Sequence, residues 1–120
     1  MKLRFLLLSL VAAVGLTVAP LAAPQTKATT STTVTVTIGK PTEFHFLLSK
    51  KTAPAGTVIF KVTNKGKLMH DFKIAGHKTP LLKTGKSATL KVTLKKGSYT
   101  YKCTVDAHAA AGMKGTFKAT

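Results

Sequence analysis

From residue 34 onward, apolar residues recur at every second position through most of the chain. Val34, Val36 and Ile38 form one set, Phe44, Phe46 and Leu48 a second, and Val58, Phe60 and Val62 a third. Leu68, Phe72 and Ile74 form a fourth, followed by Leu90, Val92 and Leu94, by Tyr99 and Tyr101, and by Phe117 and Ala119. Turn signals separate them at Gly39-Lys40-Pro41, Asn64-Lys65-Gly66, Thr84-Gly85 and Lys96-Gly97. Side chains two apart share one face of an extended strand, so the pattern predicts antiparallel strands with one face buried and one wet. About seven to eight short strands of this kind predict an all-β sandwich.

The same parity sorts the polar residues. His45 lies between Phe44 and Phe46 and is expected to face solvent. His70 is in phase with Leu68, Phe72 and Ile74, and Cys103 with Tyr99 and Tyr101, so both are expected at the interior or its rim. A buried imidazole needs a partner, and the thiol facing the same interior is one candidate. His77, within AGHKTP, reads as a loop residue.

Ahead of the strands, Lys2 and Arg4 precede an apolar run ending in small residues, the build of a secretory signal peptide over residues 1–23. Residues 24–32 are rich in Thr and Ser and read as a flexible segment, leaving 33–120 as one small domain. The expectation is therefore export to the periplasm or the extracellular space, with membrane attachment only if the leader is retained. The single cysteine forms no disulfide within the chain, so stability must come from the core or from a bound metal.

Charge narrows the partners. Nineteen Lys and Arg against three acids give +16, or +14 once Lys2 and Arg4 leave with the leader. Such a field favours acidic partners. The lysines do not cluster in the sequence; Lys61, Lys73, Lys91, Lys95 and Lys102 alternate with apolar residues as on a solvated sheet face, and no nucleic-acid partner is expected.

The C-terminal stretch YKCTVDAHAAAGMKG places Cys103, His108 and Met113 at intervals of five residues. Together with His70 they make a soft and borderline donor set suited to copper rather than to calcium or magnesium. Zinc sites draw more thiolates or histidines and seldom a thioether. Two histidines and a thiolate with a weak axial methionine describe a centre that carries electrons.

Three stretches, EFHFLLSKKTAPAGTVIFKVTNKG, LMHDFKIAG and YKCTVDAHAAAGMKGTFKAT, resemble the cupredoxins, the plastocyanin and azurin superfamily. The resemblance spans roughly residues 33–120 and implies a Greek-key sandwich with one copper ion at one end, held by His70, Cys103, His108 and Met113. It also implies one-electron carriage rather than enzyme catalysis. Relatives often carry Asn after the first histidine and Pro-Gly before the second, where this chain has Asp71 and Asp106-Ala107. Asp71, Thr104 and Asp106 thus stand beside the expected ligands, and a carboxylate there favours the more positive metal state. Ala109, Ala110, Ala111 and Gly112 are too small to shield the His108 ring and are expected to form a flat surface where a redox partner docks. The expected partner is a redox protein with an acidic surface, and a monomer is expected. The competing reading is a copper-delivery protein in which redox cycling is incidental.

Overall fold

The structure, a computed structural model, describes residues 11–24 and 30–120. Residues 11–24 take no regular secondary structure, and most of the expected leader's charged end and of the Thr-rich segment, residues 1–10 and 25–29, lie outside the described residues. Among the described residues no helix is long and apolar enough to cross a membrane.

The described residues form nine strands: β1 (Thr32–Ile38), β2 (Phe46–Leu48), β3 (Thr52–Ala53), β4 (Gly56–Asn64), β5 (Lys73–Ile74), β6 (His77–Lys78), β7 (Ser87–Leu94), β8 (Gly97–Lys102) and β9 (Lys114–Ala119). They form two sheets, β2-β1-β4-β7 and β3-β9-β8-β5-β6, so the all-β sandwich expected from alternation is what the chain builds. Val34, Val36 and Ile38 of β1 and Val58, Phe60 and Val62 of β4 turn inward onto Ile74, Tyr101, Phe117 and Ala119 of the other sheet. Phe60 lies 5.4 Å, ring centre to ring centre, from both Phe72 and Phe117. Phe46 caps this cluster 5.4 Å from Phe72 and 5.7 Å from Tyr101. Burying a ring of this size contributes roughly 2 kcal/mol, and edge-on packing adds to it.

Several expectations are corrected. Not all pairs are antiparallel: β1 runs parallel to β4, with Val34 beside Phe60, and β3 runs parallel to β9. After β2 pairs with β1, the chain crosses to the second sheet for β3, and on its return β4 runs in the direction of β1. Alternation reports which face is buried and is blind to which strand comes alongside.

The fourth apolar set is not one strand. His70 makes a single bridge to Leu82, only Lys73–Ile74 are in β5, and Leu68 is 45% exposed. Asp71 is buried next to Phe72, which breaks the alternation where the backbone leaves the sheet to shape the site. Phe44 similarly falls in a turn before β2 and is half-buried. His45 is exposed, as parity required, and His77 sits in the exposed two-residue strand β6 rather than in a loop.

Candidate metal centre

At one end of the sandwich the segment between β4 and β5 meets the loop between β8 and β9. Asn64, the last residue of β4, is fully buried and organises the first of these. Its amide donates to the carbonyls of Leu68 and Leu82, both at 2.8 Å, and its oxygen accepts the Gly66 N–H at 2.9 Å. Leu82 in turn exchanges two backbone hydrogen bonds with His70. One buried amide thereby sets the position of the histidine backbone six residues on.

The second loop folds on itself. The Cys103 N–H donates to the Met113 carbonyl and the Met113 N–H to the His108 carbonyl, both at 3.1 Å. Ala111 closes one helical turn onto Ala107 at 3.0 Å. Ala107 takes a positive φ of 67°, a conformation that costs an alanine about 1 kcal/mol and a glycine nothing.

Together the two segments bring His70 Nδ1 to 3.1 Å from His108 Nδ1, and Cys103 Sγ to 3.6 Å from His108 Nδ1 and 4.0 Å from His70 Nδ1. Metal bonds of about 2.0 Å to imidazole and about 2.3 Å to thiolate put the donors of a trigonal site roughly 3.5–3.7 Å apart. The observed triangle fits that size. His70 and Met113 are fully buried and Cys103 nearly so, whereas His108 is partly exposed. The centre is thus dry on three sides and reachable past one imidazole. Phe44 packs edge-on against both rings, at 5.1 Å from His108 and 6.4 Å from His70.

His70 Nε2 lies 2.7 Å from Glu43 Oε1. Glu43 accepts only, so Nε2 carries the proton and Nδ1 presents its lone pair to the other donors. The same carboxylate accepts the Lys67 N–H at 2.8 Å and the Leu68 N–H at 2.9 Å. These two backbone bonds, with the His70 contact, hold the Glu43 carboxyl down at about 2. Gly66 makes room for it: a Cβ there would meet Glu43 Oε1 at 2.5 Å. Glu43 was not among the residues the sequence pointed to. Its one signal is scarcity, as one of three acids in a strongly basic chain.

Asp71 accepts the Thr104 N–H at 2.6 Å and, with its other oxygen, the Thr104 hydroxyl. It ties the two ligand segments together. Asp106 is exposed and lines a shallow hollow with Lys73 and Lys102. Ala110, Ala111 and Gly112 are exposed and Ala109 half-buried, around the accessible side of His108.

Burial pushes the Cys103 thiol up, helped by the Asp71 carboxylate and opposed by the backbone N–H groups of Asp71 and Val105. Burial and then the neighbouring His70 push His108 down. The thiol therefore carries a proton at neutral pH that a metal must displace, whereas His108 carries none. Since the thiol proton leaves as the metal binds, apparent affinity is expected to rise about tenfold per pH unit from about pH 7 to about pH 8, measured by chelator competition. A flat profile would mean that the thiolate is not a ligand.

The cupredoxin-like domain family matches residues 7–117. No curated protein matches the chain significantly. Among solved structures, reduced auracyanin from the photosynthetic bacterium Roseiflexus castenholzii superposes with a TM-score of 0.61 at 22% identity, covering 78% of this chain and 99% of its own. Auracyanin A from Chloroflexus aurantiacus, described as a blue copper protein, gives 0.61 at 18% identity, over 76% of this chain and 100% of its own. Rusticyanin from Thiobacillus ferrooxidans gives 0.64 at 22% identity, over 75% and 77%. With a two-sheet sandwich, a His-Cys-His triangle at one end and a family match over nearly its whole length, this chain belongs to the cupredoxin-like family.

Proposed function

We propose that the protein is a one-electron carrier that works outside the cytoplasm and holds one copper ion on His70, Cys103, His108 and Met113. The observation that carries this reading is the convergence of His70 Nδ1, Cys103 Sγ and His108 Nδ1 within 4.8 Å, where the loop that carries Cys103 and His108 also ties Met113 to both through its backbone. Copper on such donors supplies a one-electron couple whose two states accept the same compact ligand set. The chain's part is to hold the donors still. Glu43 keeps the His70 tautomer, Asn64 its backbone, and the Asp71–Thr104 bonds the spacing between segments. The buried donors leave a reactant no open approach, while the partly exposed His108 edge lets electrons pass. This favours carriage over catalysis.

The partner is a redox protein that meets the surface formed by Ala109, Ala110, Ala111 and Gly112 around His108. An acidic partner suits a chain that keeps +14 without Lys2 and Arg4, and a monomer suits a shuttle that makes brief contacts. In this reading residues 1–23 direct export and 24–32 lead into the domain at 33–120. Optical and electron-spin-resonance spectra of the Cu(II)-loaded protein, with voltammetry, test the proposal. An intense visible band and a reversible couple with slow copper release are expected. A colourless product, or rapid copper loss on each cycle, would point to delivery instead.

Asp71 supplies a second test. Its negative charge lies close enough to raise the Cys103 thiol and should favour Cu(II). Asp71→Asn is expected to raise the reduction potential by some tens of millivolts, against about 59 mV per tenfold change in equilibrium constant, with the visible band retained. An unchanged or lowered potential would leave Asp71 with the loop tie alone.

A further inference from the structure

Four lysines that are far apart in the chain meet in one row on the outer face of the second sheet. Lys78 of β6 pairs with Lys73 of β5, Lys73 with Lys102 of β8, and Lys102 with Lys114 of β9. Directly paired residues share a face of the sheet. Their chain neighbours Ile74, Tyr101, Cys103 and Met113 are buried, so the lysines point away from the core. With strands about 4.8 Å apart, the row spans roughly 14 Å.

Like charges directly opposite one another repel. Among the described residues none of the four forms an ion pair. The next rows on the same face are neutral or mixed, with Thr100 beside Thr116 and Ser98 beside Lys118. The charge is therefore gathered at one end of the face, and that end is the metal end: Lys102 precedes Cys103, Lys114 follows Met113, and Lys73 is three residues after His70. Beside the row lies an open hollow of about 470 Å³ lined by Lys73, Lys102, Cys103, Thr104 and Asp106.

We propose that this row is a docking site for an acidic protein surface, one that sets a line of carboxylates against the four lysines beside Cys103. A hollow that admits a protruding side chain fits a protein better than a flat sheet of lipid headgroups. The row adjoins the small-residue surface at His108, since Ala109 and Ala110 also line the hollow, but its lysines lie on the outer face of the second sheet. Its use in electron transfer rests on the carrier reading above, but its binding does not.

The test is a titration of the full chain, with and without copper, with a hexaglutamate peptide at low salt, followed by backbone amide NMR. The largest shifts are expected at Lys73, Lys78, Lys102 and Lys114. The double variant K73Q/K102Q should weaken binding on the order of tenfold, while K61Q/K91Q, which removes equal charge from the first sheet, should weaken it less than about twofold. Absent binding, shifts spread over the whole domain, or equal weakening in both variants would overturn the proposal, as would binding at the row by vesicles of anionic phospholipid but not by the peptide. A failure of the copper spectra would sink the carrier reading and leave this result standing.

Discussion

Serine in place of Cys103 is expected to abolish the visible absorption of the copper-loaded chain while leaving the sandwich folded. The sulfur sits 3.6 and 4.0 Å from the two imidazole nitrogens, at one corner of the donor triangle, and the colour of such a site depends on a thiolate bonded to Cu(II). An alcohol does not ionise near neutral pH and is a poor substitute. The backbone N–H groups of Asp71 and Val105 that face the sulfur remain to satisfy the new hydroxyl. The stability cost of burying it should therefore stay within about 1–3 kcal/mol. Absorption spectra and circular dichroism of the same sample separate loss of the ligand from loss of the fold. Colour at the parent's intensity would place the ligand elsewhere.

Removing the Glu43 side chain should weaken copper binding by about 10–100-fold, the usual consequence of losing a partner that orients a ligating histidine. Three donors converge on that carboxylate: the N–H groups of Lys67 and Leu68 and Nε2 of His70. In Glu43→Ala the buried His70 ring keeps an unmatched N–H, and the copper-free chain should lose about 1–3 kcal/mol of stability. Glu43→Gln should fall between, because Oε1 serves His70 and Leu68 while Oε2 serves Lys67, and an amide offers only one accepting atom. Chelator competition gives the affinity and urea unfolding the stability. If Glu43→Ala binds copper as tightly as the parent, Glu43 is a tie between loops and nothing more.

The two residues show why parts of this site were legible and others not. Cys103, His108 and Met113 lie on one loop, so their common purpose is written in local spacing. His70 was reachable through the identity of its neighbours and its phase with Phe72 and Ile74. Glu43 precedes His70 by 27 residues and reaches it only because Gly66 lets the two loops approach closely. Asn64 reads in the sequence only as part of a turn, although both ends of its buried amide shape the segment that places His70.

Alternation by itself determined the two-layered β architecture, the outward direction of His45 and the inward direction of Cys103, because side-chain parity is a property of an extended backbone and needs no partner strand. The soft donor set and its metal preference were likewise chemical properties of residue type. Pairing between strands was decided only in three dimensions, since the same alternating pattern buries equally well against a parallel or an antiparallel neighbour. So it was with the parallel β1–β4 pair. So too with the lysines, which read as scattered along the chain until register across β6, β5, β8 and β9 brings Lys78, Lys73, Lys102 and Lys114 side by side. Register depends on which apolar faces meet across the core, and that is settled by packing between segments distant in sequence.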